Sequence, residues 1–314
     1  MPNLFDPIRI GTWSLPNRIV LAPLTRARAG VERIPNQLMA EYYAQRSSAG
    51  LIISEATSVT PMGVGYADTP GIWSAAQVAG WKLVTESVHD AGGRIFLQLW
   101  HVGRVSHSDF LAGARPVSAS TVRRAGEVTT PLGRKPFETP RALLLDELPG
   151  IVADYRHAAV NALEAGFHGV EIHGANGYLL DQFLRDGTNH RRDVYGGTIE
   201  NRARLMLEVT GAVVEIWGKE RVGIRLSPAD ELEMSDTDPS ATFGYAAREL
   251  GACGLAYLHV REKVTAEPRI GPELKSIFQA AGGGAYIANE KFDQTTAESI
   301  LAAGEADLIA FGVP

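Results

Sequence analysis

One phrase recurs along this chain: a helical stretch, an Ala-Gly pair, then a short apolar run. Ala49-Gly50, Ala91-Gly92, Ala165-Gly166 and Ala303-Gly304 each precede such a run. Glycine is favoured there because the residue after a helix often takes a positive φ. Strands are expected at 19–22, 51–54, 94–98, 169–172, 222–226, 255–260, 285–288 and 308–311. Helices are expected at 38–48, 77–90, 148–164, 201–217, 241–250, 272–279 and 295–302. Eight short, mostly apolar strands alternating with helices predict an α/β fold, a parallel sheet closed into a (β/α)8 TIM barrel. Residues 8–19 read as a small N-terminal β-hairpin. A doubly wound open sheet is the alternative, but no strand is followed by its glycine fingerprint; Gly282-Gly283-Gly284 precedes a strand and reads as a turn.

The 314 residues, 45% of them hydrophobic, suffice for one large barrel domain spanning 1–314. The net charge of −6, with no basic block, argues against a nucleic-acid partner. One cysteine, Cys253, leaves no internal disulfide and no cysteine-built metal site; it is expected to be buried and inert. No signal peptide is visible and no apolar stretch is long enough for a membrane span, so a cytoplasmic protein without membrane partners is expected.

Ligands of parallel α/β folds bind at the C-terminal ends of the strands. The fourth strand releases its chain into His173-Gly174-Ala175-Asn176-Gly177-Tyr178, then a short helix at 179–184. His173 and Asn176 can both donate to one small acceptor, with the Tyr178 hydroxyl close by. Pro23, Leu24 and Thr25 follow the first strand, Ala56 the second; Gln98 ends the third, with Trp100 two residues on, and Arg225 lies near the end of the fifth. The long connections 99–147 and 173–201 follow strands, where a lid or binding loop belongs. No carboxylate pair, nucleophile elbow or metal cluster is visible. Neutral donors beside one fixed cation suit a planar heterocycle that becomes anionic on reduction, a flavin. Each residue also has a structural reading: a cap for Thr25, a buried amide for Gln98, an ion pair for Arg225, packing for Trp100. His101, His107, His168 and His259 are read as structural, and Arg202 and Arg204 as helix-surface or ion-pair residues.

The phrases NRIVLAPLTRARA, QLWHVGR, GVEIHGANGYLLDQFL and YGGTIENRARLMLEV, supported by RLSP and IAFG, resemble the old yellow enzyme family of FMN-dependent ene-reductases across nearly all of the chain. The resemblance implies non-covalent FMN, reduced by NADPH, that in turn reduces the activated C=C bond of small electron-poor alkenes, in a monomer or homodimer. It assigns Pro23, Leu24, Thr25, Ala56, Gln98, Arg225, Asn289, Gly312 and Val313 to the flavin. His173 and Asn176 would hold the substrate oxygen, Tyr178 would protonate the α-carbon, and Tyr66 and Trp100 would shape the substrate cavity. No metal is implied.

Two departures from the family pattern stand out. Many relatives carry Arg where Val313 stands, at the flavin phosphate; Lys291 is the expected compensation. Relatives also continue for several tens of residues beyond Pro314, so a barrel lacking its eighth helix, C-terminally truncated relative to the family, is expected. The alternative function, suggested by that end, is a flavin-free or FMN-poor barrel fragment acting as a small-molecule binding or assembly module.

Overall fold

The computed structural model describes residues 1–229 and 233–312. Eight parallel strands form its centre: β1 (Ile19–Leu21), β2 (Leu51–Ile53), β3 (Ile95–Trp100), β4 (Gly169–His173), β5 (Val222–Leu226), β6 (Tyr257–Arg261), β7 (Ala285–Asn289) and β8 (Leu308–Phe311). Each pairs with the next, β8 pairs with β1, and the ring is therefore closed. Seven helices alternate with the strands: α1 (Gln37–Ala44), α2 (Ala75–Asp90), α3 (Leu148–Glu164), α4 (Ile199–Trp217), α5 (Pro239–Ala252), α6 (Gly271–Ala280) and α7 (Gln294–Ala302). Among the described residues no helix follows β8. The barrel is the expected one, and the open sheet is excluded by its closure.

Side chains alternate across each strand, so every strand feeds two cores. The outward residues, such as Val170, Ile172, Val222 and Ile224, pack with the helices in one large core. The inward residues Val20, Leu51, Ile53, Phe96, Tyr257, Ile287 and Leu308 fill the barrel. Glycines make room for the largest of them: a Cβ on Gly223 would collide with the Tyr257 ring. The N-terminal hairpin, Ile8–Ile10 with Trp13–Leu15, contributes Ile10 and Leu15 to the same interior and closes the bottom of the barrel.

The helix starts are chemically specified. Ser74 and Gln77 form a reciprocal capping box at α2, and Asn36, Thr198, Asp238 and Asp293 accept backbone N–H bonds at their helices. Of the Ala-Gly stops, Gly92, Gly166 and Gly304 take positive φ as expected. Gly50 does not. Helix α1 ends earlier, at Ala44, and Gly50 is small because a Cβ there would meet the Asn17 backbone carbonyl.

Three expectations need correction. The connection 99–147 is partly ordered as secondary structure: β3 runs on to Trp100, Val117–Ser118 pairs with Arg141–Ala142, and Glu127–Thr130 forms a hairpin with Gly133–Pro136. Cys253 is half-buried at the end of α5, where a cap residue faces solvent on one side. Arg202 is not on the helix surface but is the ion-pair residue of the other reading: 7% exposed, it lies 3.8 Å from Asp236 and donates to the carbonyls of Leu184 and Gly197 and to Thr242 Oγ1. Arg204 remains at the rim, donating to the Val194 carbonyl.

Candidate active site

The C-terminal mouth of the barrel holds an aromatic cluster and, beside it, a cationic cleft. The fourth strand joins them. The imidazole of His173 is 3% exposed, and its Nδ1 accepts from the Ala175 backbone N–H at 3.3 Å. A nitrogen that accepts cannot carry the proton, so the neutral ring is protonated on Nε2. Burial, followed by the neighbouring Arg225 guanidinium, holds His173 well below the ordinary value of 6.5. It is therefore a neutral hydrogen-bond donor throughout the physiological range.

The turn after β4 sets the other two side chains. Asn176 adopts φ of 59°, in the left-handed region that Asn tolerates better than most residues. Its backbone N–H donates to Ser227 Oγ at 2.7 Å, and its Oδ1 accepts from Arg261 Nη1 at 3.4 Å. With Oδ1 turned to a cation, the Asn176 amide nitrogen is left to donate. Tyr178 comes two residues later; Gln182 Nε2 ties down the Gly177 carbonyl and Asp181 the Gly177 N–H, which fixes the turn beneath it.

Tyr178 meets His173 edge to face, 5.0 Å between ring centroids, and Trp100 in the same geometry at 5.0 Å. Trp100 stacks on Tyr66 at 5.3 Å, and the hydroxyls of Tyr66 and Tyr178 are 3.0 Å apart. Burial, and then Tyr66, push the Tyr178 phenol well above 10. Ala56, Val102, Val105, Val128 and Phe137 complete this cluster. Val128 lies in the first strand of the 99–147 hairpin and Phe137 directly follows its second, so that hairpin packs against the aromatic pocket.

The adjoining cleft, about 280 Å³, is lined by Pro23, Leu24, Arg225, Arg261, Asn289, Lys291 and Gly312, among others. Arg225 is 6% exposed and donates from Nη2 to Asn289 Oδ1 at 2.6 Å. Its Nε is buried with no protein partner. Burial lowers this guanidinium to about 10, against the pull of Glu171, so it stays cationic. Asn289 in turn donates to the Ala310 carbonyl at 2.8 Å, which locks its Oδ1 toward Arg225. Glu290 and Lys291 have φ of 106° and 64°, a strained backbone at the end of β7.

Most of the residues expected from sequence thus converge. His173, Tyr178, Trp100, Tyr66 and Ala56 share the aromatic pocket, and Pro23, Leu24, Arg225, Asn289 and Gly312 share the cleft. Arg225 is the register partner of His173 on β5. Gln98 lies beneath, bonded to Glu171. Thr25 is exposed on the loop after β1, outside the cleft lining. Val313 lies outside the described residues.

Sequence reading overlooked three groups. Glu55, fully buried, accepts from the backbone N–H groups of Arg26 and Ala27 and shapes the loop that carries Thr25. Arg261 binds both Asn176 and Glu290, linking pocket and cleft. Glu171 is buried inside the barrel, where it bonds His259, the histidine read from sequence as structural. The signal for Glu171 was present: a lone carboxylate in an apolar strand, in phase with His173.

The residues fit a flavin. The cleft offers an unpartnered buried guanidinium N–H, further cations at its rim and small residues on one wall. Among the described residues no group of side chains could hold a metal, and no helix is long and apolar enough to cross a membrane.

Residues 3–314 match the model of the NADH:flavin oxidoreductase / NADH oxidase family. The chain is 42% identical over 316 residues to 12-oxophytodienoate reductase 1 of Oryza sativa subsp. japonica, covering 98% of this chain and 82% of that protein. It is 41% identical over 337 residues to flavin oxidoreductase hxnT of Emericella nidulans, covering 98% and 86%. Among solved structures, the old yellow enzyme homologue from Zymomonas mobilis superposes with a TM-score of 0.96 at 47% identity, covering all of this chain and 89% of that one. Morphinone reductase in complex with tetrahydroNAD gives a TM-score of 0.94 at 49% identity, covering all of this chain and 87% of that one.

Proposed function

This chain belongs to the NADH:flavin oxidoreductase / NADH oxidase family, the FMN-binding old yellow enzymes, and on that premise we propose that it uses NADPH to reduce the activated C=C bond of α,β-unsaturated carbonyl or nitro compounds. The observation that carries this reading is the state of His173, a neutral imidazole protonated on Nε2, one ring contact from a protonated phenol and one strand from a buried cation.

Bound FMN would supply the hydride, which it receives from the reduced nicotinamide. The protein does the rest. Arg225, Asn289 and the backbone around Pro23, Leu24 and Gly312 hold the ring, and Lys291 and Arg261 bring positive charge to the cleft. Ala56, Gln98 and Thr25 are assigned to its other edges. Arg225 favours added negative charge on the ring, because a cation that stays charged in a low-dielectric site interacts strongly with it.

His173 Nε2–H and the Asn176 amide donate to the carbonyl or nitro oxygen of the substrate. Two neutral donors draw electron density out of the alkene and stabilise the charge that builds on that oxygen. Tyr178 then donates its proton to the α-carbon. Burial suits it to this task, since a phenol held above its ordinary range stays protonated until a strong base forms beside it. Trp100 and Tyr66 wall the pocket, and the hairpin packed against it excludes water.

Replacing Tyr178 by Phe separates the steps. Anaerobic reduction of the flavin by NADPH is expected to keep its rate, while reoxidation by an enone slows by roughly two orders of magnitude, the range of general acid catalysis. Equal losses in both half-reactions would remove Tyr178 from the proton-donating role.

A further inference from the structure

Glu171 is 0% exposed in the middle of the barrel. Its Oε1 accepts from Gln98 Nε2 at 2.7 Å and its Oε2 is 2.9 Å from His259 Nδ1. Both partners are as buried as the carboxylate, at 1% and 0%. Among the described residues no Lys or Arg pairs with it; Arg225 acts on it only across a distance. An anion held inside a protein by neutral donors alone is costly. The aliphatic filling of the barrel, Val20, Ile53 and Ile287 among it, offers the carboxylate nothing, and among the described residues the buried Tyr257 phenol is its one further polar neighbour on the adjoining strands besides Arg225. Packing therefore does not explain a carboxylate here.

Its hydrogen bonds do. An ionised carboxylate can only accept, so each partner must turn a donor toward it. Gln98 is thereby fixed with its NH2 toward Glu171 and its Oε1 turned away from it. That oxygen accepts no hydrogen bond from any described residue. His259 must carry its proton on Nδ1, which leaves Nε2 as a buried acceptor without a partner. Without Glu171 the Gln98 amide could rotate end for end, presenting a donor where it now presents an acceptor.

We propose that Glu171 is a positioning residue for the cofactor: it holds the Gln98 amide in the one orientation whose free carbonyl oxygen can accept from the imide N–H of the flavin. This rests on the assignment of the cleft to FMN. It makes Glu171 a determinant of which planar ring is retained, since a ring presenting an acceptor at that edge would face the lone pairs of Oε1 and be rejected.

The test is a double-mutant cycle on FMN release from the holoenzyme, followed by the fluorescence of free flavin. Glu171→Gln supplies an amide that bonds Gln98 in either orientation, and Gln98→Ala removes the acceptor. Each alone is expected to weaken FMN binding about tenfold, the scale of one hydrogen bond. The double variant should bind no more weakly than Gln98→Ala, because Glu171 acts through Gln98. Should Glu171→Gln fail to fold, Glu171→Asp keeps the charge, draws the carboxylate back by one methylene and should give the same non-additivity. Unchanged affinity in the Glu171 variants, or losses that multiply in the double variant, would overturn the proposal. Wild-type protein that retains no FMN would instead overturn the flavin assignment, and this proposal with it.

Discussion

At the scale of single residues, what the site can do depends on protonation and tautomer. The Ala175 backbone N–H occupies His173 Nδ1, and burial together with Arg225 keeps the ring neutral. The donor offered to a ligand is therefore Nε2–H, with no charge to be lost as pH changes near neutrality. Phenolates resemble the enolate such donors would stabilise. His173→Ala and Asn176→Ala are each expected to weaken phenol binding by about 1–3 kcal/mol, the usual cost of a lost donor in a dry site. Titration of a substituted phenol against the flavin absorbance reads this directly, and unchanged affinity in both variants would remove the pair from the site. The chemistry of these residues was legible in GVEIHGANGY because glycines after an apolar strand mark a strand end that carries polar side chains. The tautomer was not, because it depends on a backbone N–H that turns back only when Gly174 and Asn176 adopt their folded conformations.

Among elements, the barrel strands were the easiest to foresee and the lid the hardest. An apolar run after a helix stop needs only local information, so β4, β5 and β8 were recognised in place. The hairpin at Glu127–Thr130 and Gly133–Pro136 has short strands that bury only Val128 and Thr130; Thr130 and Lys135 tie it to Asp109, and the connection is held to the rest of the molecule by two long-range anchors. Val128 and Phe137 insert into the cluster around Trp100 and Tyr66. Arg104 meets the Val122 carbonyl at 3.1 Å and the Glu233 carbonyl at 3.0 Å, bonding this connection to the loop after β5. Neither anchor can be read from a local window. Phe137→Ala removes one of them, and a buried Phe-to-Ala change costs about 3–5 kcal/mol. That exceeds what holds a surface hairpin down, so the hairpin should open while the barrel persists. Limited proteolysis is expected to cut between 111 and 141 far faster in the variant, with KM for the enone raised. Unchanged proteolysis would show that the hairpin is held by something else.

The whole molecule carries five histidines that burial holds below 6.5: His101 at about 3, His168 at about 4, and His89, His173 and His259 also lowered. The unfolded chain takes up these protons as pH falls through 6.5, whereas the folded chain does not until each depressed value is reached. The histidine contribution is thus complete above 6.5 and declines below it. Glu55, Asp154 and Asp181, raised by burial, act in the opposite sense as pH falls through their folded values toward the ordinary 4.5 and 3.8, but they are three carboxyls against five rings. The melting temperature of the holoprotein should therefore fall between about pH 7 and about pH 5 at constant ionic strength; a flat or rising profile would mean that these rings are protonated in the folded state. The central claim joins this scaffold to one reaction, and one measurement tests it most directly. The FMN-loaded protein is reduced anaerobically with one equivalent of NADPH and mixed with a cyclic enone. Reoxidation of the flavin with one saturated ketone formed per flavin is the predicted result; a flavin that stays reduced in the presence of the enone, and is reoxidised only when air is admitted, would contradict it.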